Sequence, residues 1–202
     1  MRRLNGFALS LAGLGLLAFV ASPVWAHCGK CAGDCATMAK EMDAGKSSLA
    51  SAVGAAETAS KGKAVAASAG LKDGKLTYNV YCSSGGKLQG VPVDAAGKAG
   101  QGKDEKSALG SDAATSEKMV KAMETGKLTL ASAMSAAETS SKGKAMAVVS
   151  SLKGEALTMN VYCLVGDKIM KVDVDSAGKA GRSEEAKMLP GNEEKPKPKP
   201  GG

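Results

Sequence analysis

The stretch Leu76-Thr77-Tyr78-Asn79-Val80-Tyr81-Cys82 decides the fold, because the chain contains it twice. It returns 81 positions later as Leu157-Thr158-Met159-Asn160-Val161-Tyr162-Cys163. In both copies every second residue is apolar, which is the period of a β-strand that buries one face. The sequence therefore predicts the same strand in two places.

The repeat extends well beyond this strand. Residues 38–100 align with residues 119–181 without a gap, and 37 of the 63 aligned pairs are identical. Such identity does not arise by chance, so the chain contains two copies of one module. A module of about 60 residues buries only a modest core, and pairing between the copies is a natural way to bury more apolar surface.

Each copy reads as a helix followed by three strands. Residues 47–60 are rich in alanine, with apolar residues at helical spacing, and Gly62 occupies the position of a C-terminal cap. The apolar face of the middle strand is expected to lie under this helix. The predicted fold class is α+β: two tandem modules, each a helix packed on a three-stranded antiparallel sheet. The predicted strands and hairpin turns of the first copy are 64–71, Asp73-Gly74, 76–82, Gly85-Gly86 and 87–94.

The first 26 residues have the pattern of a secretory signal. Arg2 and Arg3 precede an apolar run, and Ser22-Pro23-Val24-Trp25-Ala26 follows it as the small-residue cleavage pattern, with cleavage expected after Ala26. This predicts an exported protein, periplasmic or secreted, and the apolar run is too short to predict a membrane span. We divide the chain into a signal peptide (1–26), a cysteine-rich leader (27–37), module 1 (38–100), a linker (101–118), module 2 (119–181) and a disordered Lys/Pro tail (182–202).

The charge distribution argues against nucleic-acid binding. The chain carries a formal net charge of +7, but its lysines are scattered among acids and alanines, and only 3% of its residues are aromatic. Nucleic-acid binders need clustered cations and aromatic side chains on which bases stack. We therefore interpret the lysines as solvated surface.

The pattern of each copy resembles the PepSY family. The resemblance rests on the alanine-rich helix, the Lys-Gly-Lys before the first strand, the Tyr-x-Val strand and a final Val-x-Val-Asp-x-x-Gly-Lys at 91–98 and 172–179. It covers about 120 residues in two blocks. It implies a helix packed on a small antiparallel sheet in an extracytoplasmic module that binds or inhibits other proteins, as in the propeptides of thermolysin-like proteases. It implies no catalytic residues, and Cys82 and Cys163 depart from the apolar residue usual at the end of that strand.

The leader carries the residues best suited to specific chemistry. Cys28, Cys31 and Cys35 lie within eight residues, and His27 precedes them. Thiolates and an imidazole this close can surround a soft ion, so His27, Cys28, Cys31 and Cys35 are candidate ligands for copper or zinc. An iron–sulfur cluster is less favoured because a fourth local cysteine is missing. The alternative is that the cysteines form disulfides in an oxidising compartment.

Two further groups have plain structural interpretations. Cys82 and Cys163 are expected to be buried or to bridge the modules, and five cysteines leave at least one thiol unpaired. Four methionines at i, i+4 spacing are expected to fill gaps in an alanine-rich core, although thioethers can also bind Cu(I). These methionines are Met38, Met42, Met119 and Met123.

We predict a binding protein and not an enzyme. The chain has one histidine and no nucleophile elbow, and its repeated acids, Glu57, Glu138, Asp94 and Asp175, read as solvated surface and turn chemistry. Two functions stay open. The first is a PepSY-like binding protein whose leader holds a soft metal or reacts as a thiol. The second is a protease inhibitor or chaperone-like module that binds a secreted or envelope protein through its sheets, with structural disulfides only. The sequence does not predict an oligomeric state.

Overall fold

A computed structural model describes residues 32–186 together with residues 189 and 190, with side chains from residue 36 onward. The signal peptide, most of the leader and the end of the tail lie outside the described residues. The helices are α1 (Ala32–Ala44), α2 (Leu49–Ser60), α3 (Ala113–Gly126) and α4 (Leu130–Ser141). The strands are β1 (Lys63–Lys72), β2 (Lys75–Ser84), β3 (Lys87–Asp94), β4 (Lys103–Asp104), β5 (Ser107–Ala108), β6 (Ser111–Asp112), β7 (Lys144–Lys153), β8 (Ala156–Val165), β9 (Lys168–Asp175) and β10 (Ala180–Glu185).

Helix α2 forms where alanine content and capping agree. Ser48 is its N-cap, and a reciprocal pair of hydrogen bonds with Ser51 satisfies backbone donors of the first turn. The cap at the other end differs from the prediction, because Lys61 and not Gly62 adopts the left-handed conformation, with φ of 54°. Gly62 is required for a different reason: a Cβ there would lie 2.8 Å from the carbonyl oxygen of Ser83. The glycine therefore allows the chain to leave the helix close to strand β2.

Strands β1, β2 and β3 form the predicted antiparallel meander. Both hairpin turns lie where they were predicted, and Asp73 and Gly74 both have positive φ, as the tight turn requires. Along β2, Leu76, Tyr78, Val80 and Cys82 are fully buried while the residues between them are half-buried. The hydroxyl of Tyr78 donates to the carbonyl oxygen of Ser47, and Ser60 hydrogen-bonds the thiol of Cys82. The expectation that this face lies under the helix is confirmed.

Each module has a fourth strand that the repeat in the sequence does not reveal. β4 pairs with β3 through Gln89↔Asp104, and β10 pairs with β9 through Met170↔Glu185, which are the same positions of the repeat. The predicted linker (101–118) thus contains β4, β5, β6 and the start of α3, and the predicted tail begins inside β10. These residues belong to the fold because the outer edges of β3 and β9 offer backbone groups to pair with.

The two modules join into one sheet. The strand order is β10-β9-β8-β7-β1-β2-β3-β4, and β1 and β7 pair antiparallel at its centre. Helices α2 and α4 also contact each other. The α+β class and the tandem modules are confirmed, with four strands in each module instead of three. Among the described residues, no helix has the length and apolar character of a membrane span.

Candidate functional site

The predicted metal ligands lie at the edge of what the structure describes. His27, Cys28 and Cys31 are outside the described residues, and Cys35 lies in α1, where only the backbone is described. Three residues later, Met38 is 3% exposed and packs into the core, so α1 fixes the end of the leader to the sheet. The searched part of the chain contains no group of three or more His, Cys, Asp or Glu residues that could hold a metal.

The four methionines serve as core residues. Met38, Met119 and Met123 are buried, and Met42 packs against the same core. Their flexible side chains fill the space that the many alanines of the core leave open. The structural interpretation of these methionines is therefore confirmed.

The cysteine pair does not bridge the modules. Cys82 lies in β2 and Cys163 in β8, and β1 and β7 run between them. Three strand spacings of about 4.8 Å separate the two strands by roughly 14 Å, and the cysteines are also displaced along them, whereas a disulfide needs Cα atoms within about 7 Å. Both are buried free thiols, so the predicted bridge is wrong and the predicted burial is right.

Burial makes these thiols unreactive. Desolvation raises the pKa of Cys82 to about 11, although a side-chain hydrogen bond with Ser60 acts in the opposite direction. Desolvation likewise raises the pKa of Cys163, opposed by a hydrogen bond with Ser141. Because the thiolate is the nucleophile and the metal ligand, neither residue is suited to redox chemistry or to metal binding.

The repeated acids are structural. A carboxylate oxygen of Glu57 accepts a hydrogen bond of 3.0 Å from the amide of Ala64, and Glu138 accepts one of 2.8 Å from Ala145. These two carboxylates therefore tie a helix to the start of its first strand, which corrects their interpretation as solvated surface. Asp94 accepts from the amides of Ala96 and Lys98, both at 2.9 Å, as predicted for turn chemistry.

A cleft between the modules shows where the two copies have diverged. It has a volume of about 480 Å³, and Ser47, Tyr78 and Lys144 are among its lining residues. Lys144 forms an ion pair with Asp43 of α1 across the module boundary. In the second copy, the positions of Ser47 and Tyr78 hold Leu128 and Met159, which are both buried. The hydrogen bond from Tyr78 to Ser47 is thus specific to module 1.

Both modules contribute to a surface on the side of the sheet away from α2 and α4. Two rows of paired residues cross the four central strands there, and we call these eight residues the open face. The first row is Tyr81–Ala66–Val149–Asn160 and the second is Asn79–Ser68–Ala147–Tyr162.

The eight residues of the open face are uncharged, and they occupy four equivalent pairs of positions in the repeat. Tyr81 and Tyr162 occupy the same position of the repeat at opposite corners, roughly 15 Å apart by strand geometry. Both tyrosines and both asparagines are half-buried, while Ala66, Ser68 and Ala147 between them are buried. Charged side chains border it: Lys171 and Asp173 of β9 pair with Tyr162 and Asn160 and form an ion pair with each other. Their equivalents in module 1 are Gly90 and Pro92, and Glu105 lies against Gly90. From the sequence these residues were predicted to lie on strands, but not to form a surface together. The available signal was the polar residues alternating with the apolar ones in the repeated strand.

Comparison with known proteins gives little further information. No family model matches the chain, and no curated protein matches it. One solved structure is similar, a protein of Clostridium difficile 630 described as a "putative lipoprotein", with 16% identity and a TM-score of 0.41. The match covers 70% of this chain and 95% of that one. A likeness this distant identifies neither the family nor the function of this chain.

Proposed function

We propose that this chain is an exported binding protein that holds a protein partner on the open face of its central sheet. Export is supported by the signal-like pattern of residues 1–26. The helix packed on an antiparallel meander in each module also supports the resemblance to PepSY modules, which bind other proteins.

The composition of the open face carries this proposal. Protein interfaces are depleted in charge at their centre and enriched in tyrosine, and paratopes combine tyrosine with serine and asparagine. The open face has two tyrosines, two asparagines and one serine, and it has no charged residue in a chain with 23% charged residues. Ala66, Ser68 and Ala147 at its centre are buried, so a partner would contact the half-buried tyrosine and asparagine side chains around them.

Site-specific photo-crosslinking in the native envelope tests this function. A crosslinker in place of Asn79 or Asn160 is expected to give one discrete protein adduct. A crosslinker in place of Thr58, which is exposed on α2, serves as the matched control and is expected to give none. The Tyr81→Ala/Tyr162→Ala variant should lose the adduct. Equal adducts from both sides of the molecule, or none from the open face, would reject the proposal.

A second candidate is soft-metal binding by the leader. It is supported by the burial of Cys82 and Cys163 as free thiols, because the three leader thiols can then form disulfides within the chain only with one another. Because three thiols form at most one internal disulfide, at least one of them is left for a metal, a reaction or another chain. Zinc or copper would then be bound by Cys28, Cys31 and Cys35, with His27 as the fourth ligand.

Metal analysis separates this candidate from the first. The reduced chain is loaded with Zn(II) or Cu(I), dialysed and measured for bound metal. We expect about one ion per chain, lost in the Cys28→Ser/Cys31→Ser/Cys35→Ser variant and kept in the Cys82→Ala/Cys163→Ala variant. Equal metal content in the leader variant and the unmodified chain would end this candidate and leave the first one intact.

A further inference from the structure

The two outer edges of the sheet differ in length. The edge at β4 is two residues long, whereas β10 extends over six residues from Ala180 to Glu185. Among the described strands, β10 pairs on one side only, with β9. Its pairing with β9 is irregular between Ala180 and Ser183, so the regular part of this edge is 183–185. An exposed edge of this kind can pair with a further strand.

The backbone of β10 directs hydrogen-bonding groups outward. The amide of Ala186 donates to the carbonyl oxygen of Ile169 at 2.8 Å, so this residue points towards β9. Backbone groups of successive residues in a strand point alternately to its two sides. Glu184 therefore also points towards β9, and the amides and carbonyls of Ser183 and Glu185 point away from the sheet.

The charges of β10 suit a second copy of the same strand. Arg182 and Glu184 are both exposed and stand on either side of Ser183. In an antiparallel pair centred on Ser183, each Arg182 lies directly opposite Glu184 of the second copy, and Ser183 pairs with its own equivalent. Cross-strand pairs of opposite charge stabilise a sheet. The chain's own tail is a poor occupant, because Pro196, Pro198 and Pro200 have no amide to donate.

We propose that the protein forms a symmetric dimer in which β10 of one chain pairs antiparallel with β10 of a second chain, centred on Ser183. The two modules already associate in this way, since β1 and β7 pair antiparallel about equivalent residues. The twofold axis of the dimer is perpendicular to the sheet. The open faces of both chains therefore lie on the same side of one continuous sheet of sixteen strands.

Sedimentation of the full chain under reducing conditions, from about 1 to 500 µM, tests this proposal. The unmodified chain is expected to show a monomer–dimer equilibrium. Arg182→Glu places like charges opposite each other and should raise the dissociation constant about tenfold or more. Arg182→Glu/Glu184→Arg restores the opposite-charge pairs and should restore the dimer.

A backbone variant tests whether β10 itself forms the contact between the two chains. Ser183→Pro deletes an amide that points away from β9, so the fold is kept and dimerisation is lost, with the circular dichroism spectrum as the check on folding. A chain that stays monomeric at 500 µM overturns the proposal. A dimer that tolerates both Arg182→Glu and Ser183→Pro also overturns it, because the contact would then lie elsewhere.

Discussion

Ala67 of β1 pairs directly with Val148 of β7, and these two residues are the same position of the repeat. The repeat relates Ala66 to Ala147 and Ser68 to Val149, so it converts the neighbouring pair Ala66↔Val149 into the pair Ser68↔Ala147. An approximate twofold axis therefore passes through the Ala67–Val148 pair, as in an isologous dimer whose subunits have been joined in one chain. Both residues are fully buried, so the junction is part of the core and not a loose contact between domains.

The buried hydroxyl of Ser150 has no hydrogen-bond partner among the described residues. The equivalent residue in module 1 is Ala69. Since an unsatisfied buried polar group costs about 1–3 kcal/mol, Ser150→Ala is expected to raise the free energy of unfolding by about 1 kcal/mol. The reverse change, Ala69→Ser, should lower it. Urea denaturation measures both, and a destabilised Ser150→Ala variant would show that the hydroxyl has a partner.

Glycines at the helix–strand junctions are expected to resist substitution. A Cβ on Gly62 would meet the carbonyl oxygen of Ser83 at 2.8 Å, and one on Gly143 would meet that of Leu164 at 2.6 Å. Alanine at either position should therefore cost about 2 kcal/mol. Gly54 is the matched control, because nothing lies within 4 Å of its Cβ position on the exposed side of α2. Gly54→Ala should stabilise the protein by about 1 kcal/mol, and thermal melting that ranks the three variants differently would contradict this account.

The protein is expected to become less stable in alkaline solution because the thiol of Cys82 is buried in the folded chain. Burial raises the pKa of this thiol from 9.0 to about 11. Between these values the unfolded chain loses the proton while the folded chain keeps it, so the free energy of unfolding falls as pH rises from about 9 to 11. The Cys82→Ala variant should lack this contribution, so its free energy of unfolding should fall less over this pH range, by at most about 3 kcal/mol. The pKa values of Tyr78 and Tyr81 are also raised by burial, and these tyrosines contribute the same pH dependence to the unmodified chain and to the variant. Identical pH profiles for the two proteins would argue against the buried thiol.

Sequence predicted the interior of each module well. Alternation from Leu76 to Cys82 and the glycine-containing turns are local signals, and they gave the strands, their order and the buried face. The spacing of Met38 and Met42 also indicated the helix that became α1, although this helix was not assigned to the fold. These features depend on residues near one another in the chain, where periodicity is informative.

Three features depend on contacts that the local pattern does not record. β4 and β10 are equivalent in space, yet Lys103-Asp104 and Glu184-Glu185 share only one acidic position. The β1–β7 pairing joins strands far apart in sequence, and its signal was the run Ala64–Ala67, which is continuously apolar and does not alternate as an edge strand would. The predicted Cys82–Cys163 bridge was wrong because equivalent positions in two modules need not be near each other. Of the candidate site, the leader was identified by composition and the open face was not.

The central claim is that the two modules form one continuous sheet joined at Ala67 and Val148, and thiol labelling in urea tests it most directly. Cys82 reports on module 1 and Cys163 on module 2, and both are buried in the native chain. On a Cys28→Ser/Cys31→Ser/Cys35→Ser background, the reactivity of each thiol is measured in a variant that lacks the other. Both thiols are expected to become reactive at the same urea concentration, and Val148→Asp should lower that concentration for both. Two separate transitions, or an effect of Val148→Asp on Cys163 alone, would contradict the account.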